Sequence, residues 1–134
     1  AAFEDLADND LLITSDTIVW QNGKAIEKPK DAADAFRMLK LFSGSTHSVI
    51  TSVTFTGKYF QKTINDTTKV WFNELTDEEI NYYIKTYQPF DKAGSYGIQE
   101  WIGYIGIEKI EGSYFNVMGL PVQKLYSEIL KFIK

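Results

Sequence analysis

Hydrophobic and polar positions alternate along much of the chain with a period of two, which is typical of strands that bury one face. The clearest case is residues 47–56, where Val49, Val53 and Phe55 share one face and the residues between them are mostly serine and threonine. The same pattern, with β-branched and aromatic enrichment, predicts the other strands. Strands are predicted over residues 11–20, 25–26, 47–56, 59–72, 101–110 and 113–117.

Three finer predictions concern single strands and the turn between the first two. The near-continuous apolar start of residues 11–20 indicates burial on both faces. The run over residues 59–72 is expected to break near Asn65–Asp66. Between the first two strands, Asn22–Gly23 predicts a tight hairpin turn of a primed type.

A period of 3.6 residues predicts three helices. Residues 31–42 form the first, with Asp31 as its N-cap. The second begins at Thr76, which has the spacing of a capping box with Glu79, and ends before a proline. The third opens near Pro121. Its apolar positions predict a buried stripe of Val122, Leu125, Tyr126, Ile129, Leu130 and Ile133.

Strands that alternate with helices predict an α/β fold, a mixed twisted sheet flanked by helices. The 134 residues are expected to form one domain, because this length can bury a substantial core. No apolar run approaches the roughly 20 residues that span a bilayer, so we expect no membrane partner.

Composition narrows the class of protein. The chain has no cysteine, which excludes disulfides and Cys-ligated metal sites and agrees with a cytoplasmic protein. Its net charge of −4 argues against a nucleic-acid polymer as partner. A small anion such as a nucleotide is compatible with this charge, because a few lysines and a metal ion can bind it locally.

One segment and three single residues are considered for the chemistry of the site. Residues 91–99 combine an acid, a lysine, hydroxyls and an amide with two glycines. The segment is too short and glycine-rich to be a packed core element. It is either a binding loop or a plain helix-to-strand connection. Asp16 stands inside an apolar run, where it either bonds nearby backbone or serves as a general base or metal ligand. Lys28 precedes a proline and is extended, so it could hold a phosphate, or it is a solvated surface lysine. His47, the single histidine, is expected to be a hydrogen-bonded structural residue.

Five segments in order resemble the Maf family of nucleotide pyrophosphatases, over most of the chain from about Asp10. They are residues 15–19 (SDTIV), 27–31 (EKPKD), 41–47 (LFSGSTH), 91–99 (DKAGSYGIQ) and 112–121 (GSYFNVMGLP). The family's phosphate-binding S-x-S-P-R-R segment has no counterpart, and Arg37 is the only arginine. The chain therefore looks like the family fold without its N-terminal portion.

The resemblance implies an elongated α/β fold like that of inosine triphosphate pyrophosphatases, and a cleft site that hydrolyses dTTP or UTP, or modified nucleotides, to the monophosphate and pyrophosphate. It implies Asp16 as proton acceptor and a role for Thr17 in substrate choice, and we add Gln99 as a second reader of the pyrimidine. Lys28 and Lys92 are the expected phosphate clamps. Asp16 and Asp91 are the expected ligands of Mg²⁺ or Mn²⁺. A homodimer is also expected from the family.

Two substitutions within the motifs add acids near the expected site: Glu27 and Glu100 each replace a glycine of the family pattern. The alternative to an enzyme is a catalytically silent nucleotide-binding domain, or one linked to cell division, on the same scaffold. Release of pyrophosphate would distinguish the two.

Overall fold

A five-stranded sheet in the order β2-β1-β3-β4-β5 runs through the computed structural model, which describes residues 5–133. The strands are β1 (Leu12–Gln21), β2 (Lys24–Ile26), β3 (Thr46–Thr56), β4 (Gln61–Phe72) and β5 (Ile107–Glu111). The helices are α1 (Ala32–Phe42), α2 (Asp77–Tyr87), α3 (Trp101–Gly106), α4 (Tyr114–Met118) and α5 (Val122–Ile133). The expected α/β fold with flanking helices is confirmed. The sheet is not mixed, however, because every strand pair within the described residues is antiparallel.

The central strand β3 behaves as its pattern predicts. It pairs with β1 and with β4 over almost its whole length. The alternate residues from His47 to Phe55 are all buried, and the residues between them are half-buried. Helices contact this inner face along its length: Phe42 of α1 lies against His47, Asn116 of α4 bonds to Thr51, and Phe132 of α5 lies against Phe55.

The hairpin between β1 and β2 is also confirmed. Asn22 and Gly23 both have positive φ, 52° and 76°, and Gln21 pairs with Lys24. Positive φ at both central residues defines a primed turn, whose twist matches that of the strands.

Two expectations, one about β1 and one about β4, are wrong. β1 is not buried on both faces: Val19 and Gln21 are its buried residues, and most of its first half is exposed. The reason is that β2 pairs only with Val19–Gln21, and the core that contains Val19 covers only that end. β4 does not break at Asn65–Asp66; these residues pair with Ser52 and Thr51, and the Ser52 hydroxyl donates to Asn65 Oδ1 at 2.6 Å.

The helix starts predicted for α1 and α2 are confirmed. Asp31 Oδ1 accepts from the Asp34 amide at 2.8 Å. Thr76 and Glu79 form a complete capping box, in which each side chain accepts from the other's backbone amide at 3.1 and 2.8 Å. Each bond satisfies an amide that the first helical turn leaves without a partner.

Two segments predicted as strands are helices. Residues 101–106 form α3, so that only residues 107–111 remain as strand, and residues 114–118 form α4. Ser113 caps α4, because its hydroxyl accepts from the Asn116 amide at 3.2 Å. Short apolar runs do not distinguish the two structures by periodicity, and here local capping and packing decided for helix.

The buried stripe predicted for α5 is largely wrong: Leu125 and Ile129 are half-buried, and the other four residues are exposed. Tyr126 and Ile133 are 65% and 72% exposed, and Val122 and Leu130 are exposed as well. The row that faces the sheet is instead Lys124, Glu128 and Phe132, spaced four residues apart. Within residues 5–133 no helix combines the length and the apolar character needed to cross a membrane.

The core between the sheet, α1 and α2 contains an aromatic cluster around His47. His47 is 2% exposed and lies 4.4 Å from Phe42 and 5.6 Å from Phe72, measured between ring centroids. Its Nε2 bonds to the Tyr96 hydroxyl at 2.5 Å, and its Nδ1 is buried with no partner in the structure. Burial lowers the pKa of His47 from 6.5 to about 4, because the imidazolium cannot be solvated there.

Stability should therefore fall as the pH falls from 6.5 towards 4, because the unfolded chain binds a proton that the folded chain does not. Between pH 7 and pH 5 the free energy of unfolding is expected to drop by about 2 kcal/mol from this residue. Urea unfolding at the two pH values measures it, and His47→Gln is the control because its amide does not titrate. An equal drop in both proteins would contradict the assignment.

Candidate active site

All six site residues singled out in the sequence line one pocket of about 280 Å³. They come from three segments far apart in the chain: β1, the segment after β2, and residues 91–99. The pocket residues among them are Asp16, Thr17, Lys28, Asp91, Lys92 and Gln99.

Asp16 differs from the expectation in its environment. It is exposed rather than buried, and within residues 5–133 its side chain has no hydrogen bond or ion pair. It lies on the part of β1 that has β3 on one side and no strand on the other among the described residues. The backbone-bonding alternative therefore has no support in the structure, and the carboxylate is accessible to a ligand.

Thr17 is held by its neighbours. Its hydroxyl oxygen lies 2.9 Å from Thr51 Oγ1 and donates to the Gly119 carbonyl at 3.4 Å. These contacts join β1, β3 and the end of α4 beneath the pocket. The hydroxyl is therefore fixed in place, and part of its hydrogen-bonding capacity is already used.

Residues 91–99 line the pocket and are also a packed segment. Gly94 to Ile98 are buried, so the expectation that this stretch is no core element is wrong. Gly94 has φ 74°, and its amide donates to the Glu27 carbonyl at 3.1 Å, beside Lys28. A Cβ on Gly94 would lie 3.1 Å from Val19 Cγ2 in addition to this backbone strain, so glycine is required there.

Lysine side chains supply the positive charge of the pocket. Lys92 Nζ lies 3.3 Å from Asp91 Oδ1, and this contact, with a smaller contribution from Lys28, holds the pKa of the Asp91 carboxyl below its usual range. Asp91 is 79% exposed, so the pair adds little to stability. Its effect is local, because the contact keeps the Lys92 ammonium beside Asp91 at the pocket.

The two acids that depart from the family pattern have different positions. Glu27 does not line the pocket; only its backbone carbonyl supports the loop. Glu100 accepts a hydrogen bond from the hydroxyl of Tyr83, which the sequence analysis placed only in the core. The replacement of a glycine by Glu100 next to Gln99 marks this position in the sequence, but it does not identify Tyr83 as the partner.

The far wall of the pocket comes from α4 and its C-terminal residues, which sequence reasoning did not place there: Val117, Met118 and Gly119. Asn116 fixes this wall. Its buried side-chain amide donates to the Val49 and Asp66 carbonyls, each at 3.1 Å, and to Thr68 Oγ1 at 3.2 Å. One side chain therefore attaches α4 to both β3 and β4.

The pocket residues also bear on a divalent cation. Residues 5–133 contain no cluster of three or more His, Cys, Asp or Glu side chains arranged for a metal. Asp16 and Asp91 nevertheless line the same pocket. Mg²⁺ is commonly held by one or two carboxylates together with substrate phosphates, so the donor set fits a cation that arrives with a nucleotide.

The fold, the ordered motifs and the pocket define a Maf-like protein. The chain belongs to this family, whose model matches residues 1–132. The family resemblance seen in the sequence is thereby confirmed.

Several curated proteins are similar to this chain, and those described here share one name. A protein of Christiangramia forsetii named dTTP/UTP pyrophosphatase is 57% identical over 129 residues, which are 96% of this chain and 66% of that protein. A protein of Flavobacterium psychrophilum with the same name is 58% identical over 131 residues, 97% of this chain and 67% of that protein. A third, from Bacteroides fragilis, is 58% identical over 120 residues, 90% and 62% of the two chains. The chain thus spans about two thirds of the length of these curated relatives.

Replacing Asn116 with alanine should destabilise the protein by about 3 kcal/mol, because it leaves the buried Val49 carbonyl and the half-buried Asp66 carbonyl without their donor. Chemical unfolding measures the change. Asn65→Ala is the matched control: Asn65 is exposed on β4, and its loss is expected to cost about 0.5 kcal/mol or less. Equal effects of the two substitutions would contradict the role given to Asn116.

Proposed function

We propose that this chain hydrolyses dTTP and UTP to the monophosphate and pyrophosphate. The observation that carries the proposal is the convergence of Asp16, Lys28, Lys92 and Gln99 on one pocket from three separate segments. The names of the relatives at 57% and 58% identity support the substrate class.

The pocket offers the charges that a triphosphate needs. Lys28 and Lys92 can contact phosphate oxygens as point charges, and Lys92 is already drawn to the pocket by Asp91. As negative charge develops on the phosphate oxygens, these ammonium groups stabilise it. Their role is electrostatic, and it does not require the lysines to lose a proton.

Asp16 is the group that we assign to the attacking water. Its carboxylate is exposed at the pocket and has no side-chain partner within the described residues. Water attacks the α-phosphorus, the bond to the oxygen that bridges the α- and β-phosphates breaks, and pyrophosphate leaves. Asp16 accepts the proton that the water loses.

Asp16 and Asp91 would hold Mg²⁺ or Mn²⁺ through carboxylate oxygens. Such a cation, when bound, neutralises charge on the phosphates and orients them. Asp91 is exposed and ionised at neutral pH, and the neighbouring Lys92 lowers the pKa of its carboxyl further.

We assign Gln99 and Thr17 to recognition of the nucleobase. The Gln99 amide has both a donor and an acceptor, which match the polar edge of a pyrimidine. The Thr17 hydroxyl bonds to Thr51 and Gly119, so it offers a fixed contact rather than an adaptable one. The homodimer and the cytoplasmic location implied by the family and the composition stay predictions.

A second candidate is a nucleotide-binding protein without turnover. Arg37, the only arginine, pairs with Asp34 at 2.8 Å and is not among the pocket residues. The cationic side chains that line the pocket are therefore lysines, without the bidentate grip of a guanidinium. Binding of UTP in a calorimetric titration, with no release of pyrophosphate, would establish this alternative.

Asp16→Asn should slow pyrophosphate release from UTP and dTTP by about a hundredfold or more, because the amide cannot accept the proton from water. A coupled pyrophosphate assay with Mg²⁺ measures the rate. Asp8→Asn removes an exposed carboxylate that does not line the pocket and should leave the rate unchanged. A fully active Asp16→Asn protein would refute the role of Asp16 as proton acceptor.

Gln99→Ala should raise KM for UTP and dTTP by about tenfold while kcat changes by less than about twofold, because a contact to the base is lost and the phosphate contacts remain. Steady-state kinetics with UTP, dTTP, ITP and 7-methyl-GTP measures selectivity. Gln123→Ala, on the exposed side of α5, is the control. Unchanged selectivity would remove Gln99 from the reading of the base.

A further inference from the structure

Gln99 sits in a tight turn that the phenol of Tyr83 closes from below. The Glu100 amide donates to the Gly97 carbonyl at 3.0 Å, which makes Gly97–Glu100 a four-residue turn with Gln99 at its third position. The Tyr83 oxygen accepts from the Gly97 amide at 3.1 Å and donates to Glu100 Oε1 at 2.5 Å. One hydroxyl therefore binds both ends of the turn.

The phenol is itself fixed in position. Tyr83 lies on α2, is fully buried, and stacks on Tyr87 with ring centroids 5.1 Å apart. Burial, and then the Glu100 carboxylate, raise the pKa of the Tyr83 hydroxyl, so it keeps its proton and remains a donor to Glu100.

Three side chains meet above Gly97. A Cβ at Gly97 would lie 3.0 Å from Lys92 Cε, 3.1 Å from Glu100 Oε1 and 3.3 Å from Gln99 Oε1. Gln99, a proposed contact to the nucleobase, therefore lies directly above Gly97 in the turn that Tyr83 holds, beside the side chain of Lys92.

We propose that Tyr83 and Glu100 are positioning residues, which fix the Gly97–Glu100 turn and thereby set the preference of the pocket for a pyrimidine. Neither residue touches the substrate; both act through the direction of Gln99. This inference rests on the proposed function, since it assigns selectivity to a nucleotide pocket.

The test uses the whole chain with Tyr83→Phe, Glu100→Ala, Glu100→Gln and the double variant Tyr83→Phe/Glu100→Ala. Tyr82→Phe is the matched control, because Tyr82 is the neighbouring tyrosine on α2 and is half exposed. Two quantities are measured for each protein: hydrogen exchange of the Gly97 amide, followed by NMR without ligand, and the dissociation constants of UTP and ITP from titration.

Tyr83→Phe and Glu100→Ala should each speed exchange of the Gly97 amide about tenfold and weaken UTP binding five- to tenfold, with ITP binding nearly unchanged. The double variant should be no worse than the more severe single one, because both residues act through the same turn. Glu100→Gln retains an acceptor for the phenol and should recover most of the preference for UTP.

Three results would overturn the inference. Unchanged exchange of the Gly97 amide would show that the hydroxyl does not hold the turn. Faster exchange with an unchanged ratio of UTP to ITP affinity would leave the bonds a purely structural role. Absence of nucleotide binding by the unmodified chain would refute the proposed function and the selectivity inference with it, and the exchange data would still report separately whether Tyr83 holds the turn.

Discussion

The geometry of the pocket depends on one buried hydrogen bond, between Nε2 of His47 on the central strand and the hydroxyl of Tyr96 in the loop of residues 91–99. Tyr96 enters the core among Phe42, Phe72 and His47, with ring centroids 5.1 to 6.0 Å away. A glycine-rich loop would ordinarily have much conformational freedom. Here the middle of the loop is buried in the core, which restricts the positions of the loop residues that line the pocket.

The burial that holds the loop has a cost at the same residue. Nδ1 of His47 is buried with no partner in the structure, and the imidazole must stay neutral. The aromatic contacts around the ring and the bond to Tyr96 offset this cost. The same cluster therefore joins the stability of the core to the position of the site, and acid should weaken both together.

An acidic chain can still have a pocket lined by lysine side chains, because net charge and local charge are set separately. The chain has a net charge of −4, yet Lys28 and Lys92 both line the pocket. The Gly94 amide bonds to the Glu27 carbonyl, next to Lys28, and thereby joins the two segments that carry these lysines. Backbone contacts thus bring together two charges that lie 64 positions apart in the sequence.

Sequence alone determined the features that local chemistry controls. The Asn22–Gly23 turn, the capping box of Thr76 and the alternation in β3 follow from φ preferences, orphan amides and period-two burial, and the ordered motifs identified the family and the pocket residues. Tertiary structure alone decided which apolar surfaces are covered. Most of the apolar stripe of α5 is exposed because the row of Lys124, Glu128 and Phe132 contacts matched partners on and beside β4: the Asn65 carbonyl, Lys62 and Phe60. An amphipathic pattern indicates that a helix has an apolar side, but only packing decides which side meets the sheet. For the same reason, the contacts of Tyr83 with Gly97 and Glu100 could not be predicted from the spacing of these residues in the sequence.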